Sequence, residues 1–223
     1  MKIIFCGYRT WAIEVLHGLK KQFPKNEFLL LQNQIEFKSN IDHIKKSDLV
    51  ICCGWSWILP REVVNSVFTV GIHPSDLPNY AGGSPIQHQI IDGLKSTKVS
   101  LFRLTAELDE GPVLSKLDFD LNGHINEIFN RLSSVSIALF NDLISRIDYY
   151  KNHEFLVPQK YEYKTRKRLL PQDSELTIEK FSKMSCAKLF DFIRCREDPY
   201  PNVYIQDETG KLLIKWVEFE PKK

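Results

Sequence analysis

The sequence predicts an α/β fold, with a doubly wound, mostly parallel sheet and a small C-terminal region of one helix and one β-hairpin. Short apolar segments alternate with stretches of helical spacing, which is typical of strands joined by crossover helices. After its first residue, the segment 48–53 is continuously apolar and does not alternate with polar residues, as expected of a parallel strand covered on both faces. The length of 223 residues suits a domain over residues 1–155 and a smaller region over residues 156–223.

The first third of the chain predicts four strands, at residues 2–6, 28–31, 48–53 and 68–72. Gly7 ends the first strand, and the apolar residues between Trp11 and Leu19 then recur at helical spacing. Pro60 is well placed to start a short helix. The fourth strand leads directly into His73.

The rest of the chain predicts a helix over 86–94, strands over 98–105 and 113–119, a single long helix over 125–149, a helix over 186–194 and a hairpin with strands at 203–205 and 212–216. In the long helix, apolar residues recur every three or four positions from Ile128 to Ile147. Residues 160–168 form a basic and aromatic run. This run could contact a phosphate, or it could be a solvated linker, which is the commoner reason for such a composition.

The composition excludes several classes of function. The chain has 30 Lys and Arg against 28 Asp and Glu, and its net charge of +2 gives no general attraction to nucleic acid. No apolar run approaches the roughly 18 residues of a membrane-spanning helix, and the N-terminus lacks the cleavage site of a secretory signal. Five cysteines without disulfide spacing suit a reducing compartment. We therefore expect a cytoplasmic protein with no membrane, nucleic-acid or metal partner.

A loop after the fourth predicted strand contains the first candidate site residue, His73. Open α/β sheets bind ligands in the crevice at the C-terminal ends of their strands, where His73 is expected. Pro74 and Pro78 fix the path of the loop, so His73 should be presented rather than buried. The pair Gly82 and Gly83 permits a ligand to approach the backbone closely. A lone histidine at such a position can be a site residue or a hydrogen-bonded structural one.

Asp109 is the second candidate, because it follows another predicted strand and precedes a turn. A carboxylate there could reach the same crevice and pair with His73, which would fix the tautomer of the imidazole and raise its basicity. Alternatively, Asp109 only makes the turn, as Asp-x-Gly sequences often do. The residues alone leave both interpretations open.

Several segments together resemble the formyltransferases that use 10-formyltetrahydrofolate, a family with a Rossmann-like fold. The matching segments are residues 1–7, Ile58-Leu-Pro60, His73-Pro-Ser-Asp-Leu-Pro78, Tyr80-Ala-Gly82, Leu108-Asp109-Glu-Gly111-Pro, Leu170-Pro-Gln-Asp173-Ser174 and Pro199-Tyr-Pro201. Among these enzymes the chain is most similar to the sugar N-formyltransferases, because its C-terminal region is short. The resemblance implies transfer of a formyl group from the folate to the amino group of a nucleotide-linked amino sugar.

The resemblance also implies roles for particular residues. His73 would be the catalytic proton shuttle, Asp109 would orient it, and no metal would be required. The folate contacts would be Trp57, Ile58, Leu59, Gly83, Thr105, Ala106, Glu107 and Leu108. The acceptor contacts would be Tyr8, Arg9, Thr10, Ser75, Asp76 and Tyr80. Within these sets, Trp57 and Ile58 could instead be core residues, and Arg9 could be exposed without a role.

Two positions depart from the family pattern. Gly71 stands where the family has an asparagine that, by resemblance, helps to hold the formyl oxygen of the tetrahedral intermediate, and Ala81 replaces the arginine of Tyr-Arg-Gly. Loss of one oxyanion donor typically costs roughly 10²–10³ in rate. Either another donor fills that place, or the enzyme is slow, or the protein binds folate and nucleotide sugar without turnover.

An enzyme like methionyl-tRNA formyltransferase is a further alternative. Such enzymes resemble this chain in the catalytic half but continue into a C-terminal barrel that helps to bind tRNA, whereas about 60 residues remain here after residue 161. Members of the family are often dimers through the C-terminal region. A homodimer could therefore form through the predicted hairpin, which carries Val203 and Leu212.

Overall fold

A six-stranded sheet forms the centre of the computed structural model, which describes residues 1–152 and 165–222. The strands are β1 (Lys2–Cys6), β2 (Glu27–Leu31), β3 (Leu49–Cys52), β4 (Thr69–His73), β5 (Ser96–Arg103) and β6 (Val113–Asp120). Their order in the sheet is β2-β1-β3-β4-β5-β6. The first four strands are parallel to one another, whereas β5 is antiparallel to both β4 and β6. The predicted α/β fold with a mostly parallel sheet is confirmed.

Helices cover both faces of this sheet. In chain order they are α1 (Thr10–Gln22), α2 (Gln34–Ser39), α3 (Ile41–Lys45), α4 (Arg61–Val64), α5 (Pro85–Ile91), α6 (Ile125–Ser145), α7 (Ile147–Asn152), α8 (Ile178–Ser182) and α9 (Cys186–Arg194). Side chains alternate along β1, so Ile3 and Phe5 pack against α1 and α6, while Ile4 and Cys6 pack into the core that α2, α3 and α4 cover. This two-sided packing is the doubly wound arrangement that the sequence predicts.

The segment between β2 and β3 forms two short helices, α2 and α3, that the sequence did not predict. Each buries a single side chain, Phe37 in α2 and Ile44 in α3, so the segment has no repeated apolar spacing. Asn33 caps α2, because its side-chain oxygen accepts a hydrogen bond from the backbone N–H of Glu36 at 2.9 Å. Local capping rather than an apolar stripe therefore marks the start of α2.

The single helix predicted over residues 125–149 is divided in two, because the chain leaves the helical conformation at Arg146 (φ −123°, ψ 34°). The Arg146 guanidinium bonds to the Asp142 carboxylate and the Tyr150 hydroxyl, and that hydroxyl also donates to Asp142. Burial and Asp142 raise the pKa of Tyr150 to about 12. These three side chains bridge the break, and the apolar spacing continues across it, so spacing alone does not reveal the break.

The C-terminal region contains a short 3₁₀ turn (Pro171–Ser174), α8, α9 and a two-stranded antiparallel hairpin of β7 (Val203–Asp207) and β8 (Gly210–Ile214). The predicted helix and hairpin are both present. The predicted division between residues 155 and 156, and residues 160–164 of the basic run, lie outside the described residues. Over the residues that are described, no helix is both long and apolar enough to cross a bilayer.

A buried arginine fastens α9 to the main sheet. Arg194 is 1% exposed, and its Nε donates to the Asp191 carboxylate at 2.7 Å. Its Nη1 donates to the carbonyl oxygens of Leu121 and Gly123, at 2.7 and 2.6 Å, in the turn between β6 and α6. Lys95 also contacts the Asp191 carboxylate, at 2.9 Å. The Arg194–Asp191 pair lies within α9, so the C-terminal region is docked by the bonds from Arg194 to these carbonyls and by the Lys95–Asp191 ion pair.

Arg194→Ala should lower the free energy of unfolding by about 3 kcal/mol, because it removes one member of a buried ion pair and the donor of two carbonyls, and leaves Asp191 with Lys95 alone. Urea unfolding at pH 7 measures this loss. Lys183→Ala is the control, since its ion pair with Glu179 is exposed on both sides, and such a pair contributes about 0.5 kcal/mol or less. Equal losses in the two variants would contradict a docking role for Arg194.

Candidate active site

The last residue of β4, His73, lies at the point where the sheet changes direction. On one side β4 pairs with the parallel strand β3, and on the other His73 is opposite Ser100 of the antiparallel strand β5. The side chain is 7% exposed. The expectation that His73 is presented rather than buried is wrong, because the protein encloses almost all of its imidazole at this strand end.

Two groups flank the imidazole of His73. Its Nε2 lies 2.8 Å from the carbonyl oxygen of Tyr80, and because a carbonyl can only accept, we infer that Nε2 carries the hydrogen and donates it. Its Nδ1 faces Oδ2 of Asp109 at 3.5 Å. The ring is thus oriented by one firm hydrogen bond, and its contact with Asp109 is an ion pair only when the imidazole is protonated.

Asp109 lies in the connection between β5 and β6, in a left-handed backbone conformation (φ 56°). Aspartate is among the few residues other than glycine that adopt this conformation readily. Its Oδ2 accepts a hydrogen bond from the backbone N–H of Gly82 at 2.8 Å, and its side chain is 12% exposed. Asp109 therefore lies in a turn and also faces His73, and the hydrogen bond that assigns the tautomer of the imidazole is the one to Tyr80.

A cavity of about 370 Å³ opens between α4 and the connection that leads to Asp109. Its size falls in the range of roughly 300–1,000 Å³ that small-molecule sites occupy. The lining residues are Arg61, Val64, Asn65, Arg103, Leu104, Thr105, Ala106, Glu107 and Pro112. Two of these lining residues bond to each other, since Arg61 Nη2 donates to Oε1 of Glu107 at 3.0 Å. Glu107, which lines the cavity, precedes the candidate site residue Asp109 by two positions in the chain.

Only some of the expected folate contacts line the cavity. Thr105, Ala106 and Glu107 line the cavity, whereas Trp57, Ile58, Leu59, Gly83 and Leu108 do not. Leu59 is buried in the core between the sheet and α4, and Ile58 is 70% exposed. Trp57 packs against the rings of Tyr8 and Trp55. The close approach at Gly83 is made by the chain itself, because a Cβ there would lie 2.5 Å from the Cα of Arg168.

The expected acceptor contacts lie in different parts of the fold. Ser75 is fully buried, and its hydroxyl donates to the carbonyl of Asn79 at 2.6 Å, while Asp76 is paired with Lys116; both stabilise the loop after β4. Thr10 is the exposed first residue of α1. Tyr80 donates its hydroxyl to Asp92 at 3.0 Å.

An arginine and two aromatic rings meet beyond the end of β1. The Arg9 guanidinium carbon lies 5.0 Å from the centre of the Tyr8 ring and 5.9 Å from that of Tyr200. The Tyr8 hydroxyl lies 2.7 Å from Oγ of Ser56, and Nη2 of Arg168 donates to the same Oγ at 3.3 Å. Residues far apart in sequence thus bring two guanidinium groups close to the hydroxyls of Tyr8 and Ser56. We call the group of Tyr8, Arg9, Ser56 and Arg168 the rim.

The buried thiols offer no nucleophile. Cys52 lies at the end of β3 next to Cys6 of β1, and the hydrogen bond with Cys6 together with burial raises the pKa of Cys52 well above its usual range. Burial alone raises the pKa of Cys53. A thiol must ionise to attack or to bind a metal, so these groups act as small apolar side chains. Among the residues that the structure covers, no three metal-ligating side chains converge.

The family model for formyl transferase matches residues 20–133, just over half of the chain. The chain belongs to the formyl transferase family. A methionyl-tRNA formyltransferase from Lysinibacillus sphaericus is 36% identical over 104 residues, which cover 45% of this chain and 33% of that protein. The curated relatives compared are matched over 33% to 56% of their own length, so the chain spans about a third to a half of them.

Solved structures of this family share the whole fold. A methionyl-tRNA formyltransferase from Clostridium thermocellum is 28% identical, with a TM-score of 0.83 over 99% of this chain and 94% of that one. A sugar N-formyltransferase from Shewanella sp. is 16% identical, with a TM-score of 0.76 over 100% of this chain and 99% of that one. The second similarity concerns the fold alone.

Gly71 stands where the formyl transferase motif leads one to expect an asparagine, and the side chain beside it is apolar. A Cβ at Gly71 would lie 3.3 Å from Cδ2 of Leu104 and 3.4 Å from the carbonyl oxygen of Cys52. Leu104, which follows β5, therefore occupies the space beside the strand end. A side chain larger than hydrogen fits there only if Leu104 moves by a few tenths of an ångström.

Sequence reasoning missed Leu104, Arg61 and Arg168 as neighbours of the site. Arg61 follows Pro60 at the start of a helix, a place at which its side chain could have been expected near the strand ends. Leu104 looked like any other strand residue. Arg168 was part of the basic run, and only the fold reveals that it reaches Ser56.

Proposed function

We propose that the protein transfers the formyl group of 10-formyltetrahydrofolate to the amino group of a nucleotide-linked amino sugar. The observation that carries this proposal is the pair of His73 and Asp109, 3.5 Å apart at the end of β4, in a chain of the formyl transferase family. The cavity that Thr105 and Glu107 line, in the same connection as Asp109, is the proposed folate site. The pair itself is proposed to handle the protons of the reaction.

Formyl transfer to an amine requires one proton to move. The folate supplies an electrophilic formyl carbon on N10. The amine nitrogen bonds to that carbon, the carbon–N10 bond breaks, and the proton lost by the amine must reach N10. In our proposal Nδ1 of His73 takes up this proton, since Nε2 already carries a hydrogen held by the carbonyl of Tyr80. The Asp109 carboxylate stabilises the imidazolium until the proton passes to N10. Proton transfer by a positioned side chain contributes typically 10²–10⁴-fold in rate.

The two guanidinium groups at the rim support an acceptor that carries phosphate. Within residues 1–152 and 165–222, neither Arg9 nor Arg168 forms an ion pair with a carboxylate; their contacts are with Tyr8, Tyr200 and Ser56. A guanidinium binds phosphate oxygens through two parallel hydrogen bonds. Two cations without acidic partners therefore fit the diphosphate of a nucleotide-linked sugar.

Backbone contacts connect the rim with the proposed catalytic pair. The backbone of Arg168 touches Gly83, and the neighbouring residue, Gly82, donates its N–H to Asp109. An acceptor whose phosphates contact Arg168 would therefore lie close to the carboxylate that faces His73. The chain as a whole carries a charge of only +2, which suits a small anion better than a long polyanion.

A methionyl-tRNA acceptor is the second candidate. The observation in its favour is sequence similarity, because the methionyl-tRNA formyltransferases compared are 36% and 28% identical to this chain, against 16% for the sugar enzyme. Both acceptors present a primary amine together with phosphate. They differ in the length of the anion, and one assay with both acceptors separates them.

Purified protein given 10-formyltetrahydrofolate should release tetrahydrofolate and add one formyl group to at least one nucleotide-linked amino sugar in a panel, as read by mass spectrometry. His73→Asn should lower kcat by about 10²–10⁴-fold, because the proton shuttle is lost. His17→Asn is the matched control, since His17 is exposed on α1, and it should retain full activity. Formylation of methionyl-tRNA alone would establish the second candidate, and no formylation of any acceptor would contradict the proposal.

Gly71→Asn should raise kcat by about 10²-fold, because it restores an amide donor for the oxyanion at the strand end. Gly71→Ala is the matched control, since it places the same Cβ against Leu104 without the amide and should give no gain. Steady-state kinetics of the three proteins with one acceptor measures the effect. An equal rate in Gly71→Asn and wild type would show that another group already supplies this donor.

Arg9→Gln and Arg168→Gln should each raise the KM for the acceptor by about tenfold or more, since a hydrogen bond to a charged group is worth roughly 1.5–3 kcal/mol. The KM for the folate should stay unchanged, because the cavity is lined by other residues. Arg131→Gln, which removes a guanidinium bonded to the turn after β6, is the control. Unchanged acceptor KM values in both rim variants would remove these arginines from the acceptor site.

A further inference from the structure

The residues that follow the undescribed segment lie against the loop of the candidate active site. We call residues 165–170 the strap. The backbone N–H of Arg166 donates to the carbonyl of Ala81 at 2.8 Å, and the N–H of Gly83 donates back to the carbonyl of Arg166 at 2.8 Å. The strap therefore adds a short stretch of parallel pairing to the loop. The N–H of Leu169 extends it by donating to Oγ of Ser84 at 3.0 Å.

The loop segment beneath the strap holds both members of the catalytic pair through its backbone. The carbonyl of Tyr80 accepts the hydrogen bond from His73. The N–H of Gly82, two residues later, donates to Asp109. The residue between them, Ala81, is bonded to the strap. A movement of this tripeptide would therefore displace the partners of His73 and Asp109 together.

This loop has an unusual backbone that needs support from its surroundings. Tyr80 (φ 56°) and Ser84 (φ 53°) adopt the left-handed conformation although neither is glycine, and Gly82 has a φ of 98°. Such conformations are costly for residues with a Cβ and persist only where neighbouring structure fixes them. The strap is bonded within this same stretch of five residues, so it is well placed to provide that support.

One side chain ties the strap to the loop from the outside. Nη2 of Arg166 contacts Oδ2 of Asp92 at 2.8 Å, and the hydroxyl of Tyr80 donates to the same oxygen at 3.0 Å. The Arg166 guanidinium carbon also lies 5.3 Å from the centre of the Tyr80 ring. Burial and the bond to Asp92 raise the pKa of Tyr80.

We propose that Arg166 is a positioning residue: through Asp92, Tyr80 and the backbone of Ala81, it sets the orientation of His73 and Asp109. The consequence for turnover rests on the proposed function, whereas the orientation of His73 can be measured without any turnover. The C-terminal part of the chain then acts on the site by holding its loop, in addition to presenting Arg168 to the acceptor.

The test combines imidazole NMR with kinetics for Arg166→Ala, Arg166→Lys and Lys167→Ala. Long-range ¹H–¹⁵N spectra of labelled protein report the His73 tautomer, with His73→Asn identifying its signals. In Arg166→Ala the His73 Nε2 signal should shift and lose the character of a hydrogen-bonded N–H. Its kcat should fall by about tenfold to a hundredfold with the KM for folate unchanged, because a misplacement of about 1 Å costs up to 10²-fold.

Two comparisons separate positioning from a general loss of structure. Arg166→Lys keeps the charge beside Asp92 and should restore the His73 signals and most of kcat. Lys167→Ala removes the adjacent charge of the strap while leaving its backbone carbonyl, which accepts from His88, and should match wild type in the spectra. Thermal unfolding of all three variants should show similar midpoints, since Arg166 and Asp92 are both partly exposed.

Gly83→Ala displaces the strap by a different route. A Cβ there would lie 2.5 Å from both the Cα and the backbone nitrogen of Arg168, so the strap must move although Gly83 itself has no left-handed strain. This variant should change the His73 signals in the same direction as Arg166→Ala. Titration with tetrahydrofolate, read by fluorescence, checks that folate binding persists.

The outcomes distinguish the two proposals. Wild-type His73 spectra in both Arg166→Ala and Gly83→Ala would overturn the positioning role, whatever the activity. A fall in kcat that follows a fall in the unfolding midpoint and that Arg166→Lys does not rescue would also overturn it. Altered His73 spectra in a protein that formylates no acceptor would support the positioning role while contradicting the proposed function.

Discussion

The hydrogen bond from His73 to the carbonyl of Tyr80 is the interaction on which the candidate site depends. It fixes the imidazole plane and leaves Nδ1 directed at Asp109, 3.5 Å away. Because the acceptor is a backbone group in a left-handed residue, the ring orientation follows the path of the loop rather than the choice of a neighbouring side chain. The loop is therefore as important to the proposed chemistry as the two side chains that it holds.

The sheet explains why these groups meet. Strands β1 to β4 run in one direction, so their C-terminal ends lie along one edge, and β5 then returns antiparallel beside β4. The connection after β5 starts beside the first residue of β4, where the N–H of Leu104 donates to the carbonyl of Thr69 at 2.9 Å. It then carries Asp109 to within 3.5 Å of His73 at the end of β4. Crevices at the C-terminal ends of strands are where open α/β sheets bind ligands, and His73 and Asp109 meet at such an end.

Most of the fold and the proposed catalytic pair could be predicted from the sequence, since strands and long helices have local apolar patterns and His73 and Asp109 follow predicted strands. The break at Arg146 could not, because apolar spacing continues through it. Leu59 and Ile58 share one motif, yet one is buried and the other exposed. The contact of Arg166 with Ala81 joins segments about eighty residues apart, and no local pattern encodes such a register.

The same long-range contacts connect the stability of the C-terminal region with the geometry of the site. The loop of residues 80–84 runs directly into α5, and α9 packs against α5. Arg194 holds α9 on the turn before α6, while the strap joins the other side of the loop. The loop is thus fixed by β4 at its start, by α5 at its end and by the strap along its length. A left-handed backbone that orients two side chains requires such support from several directions.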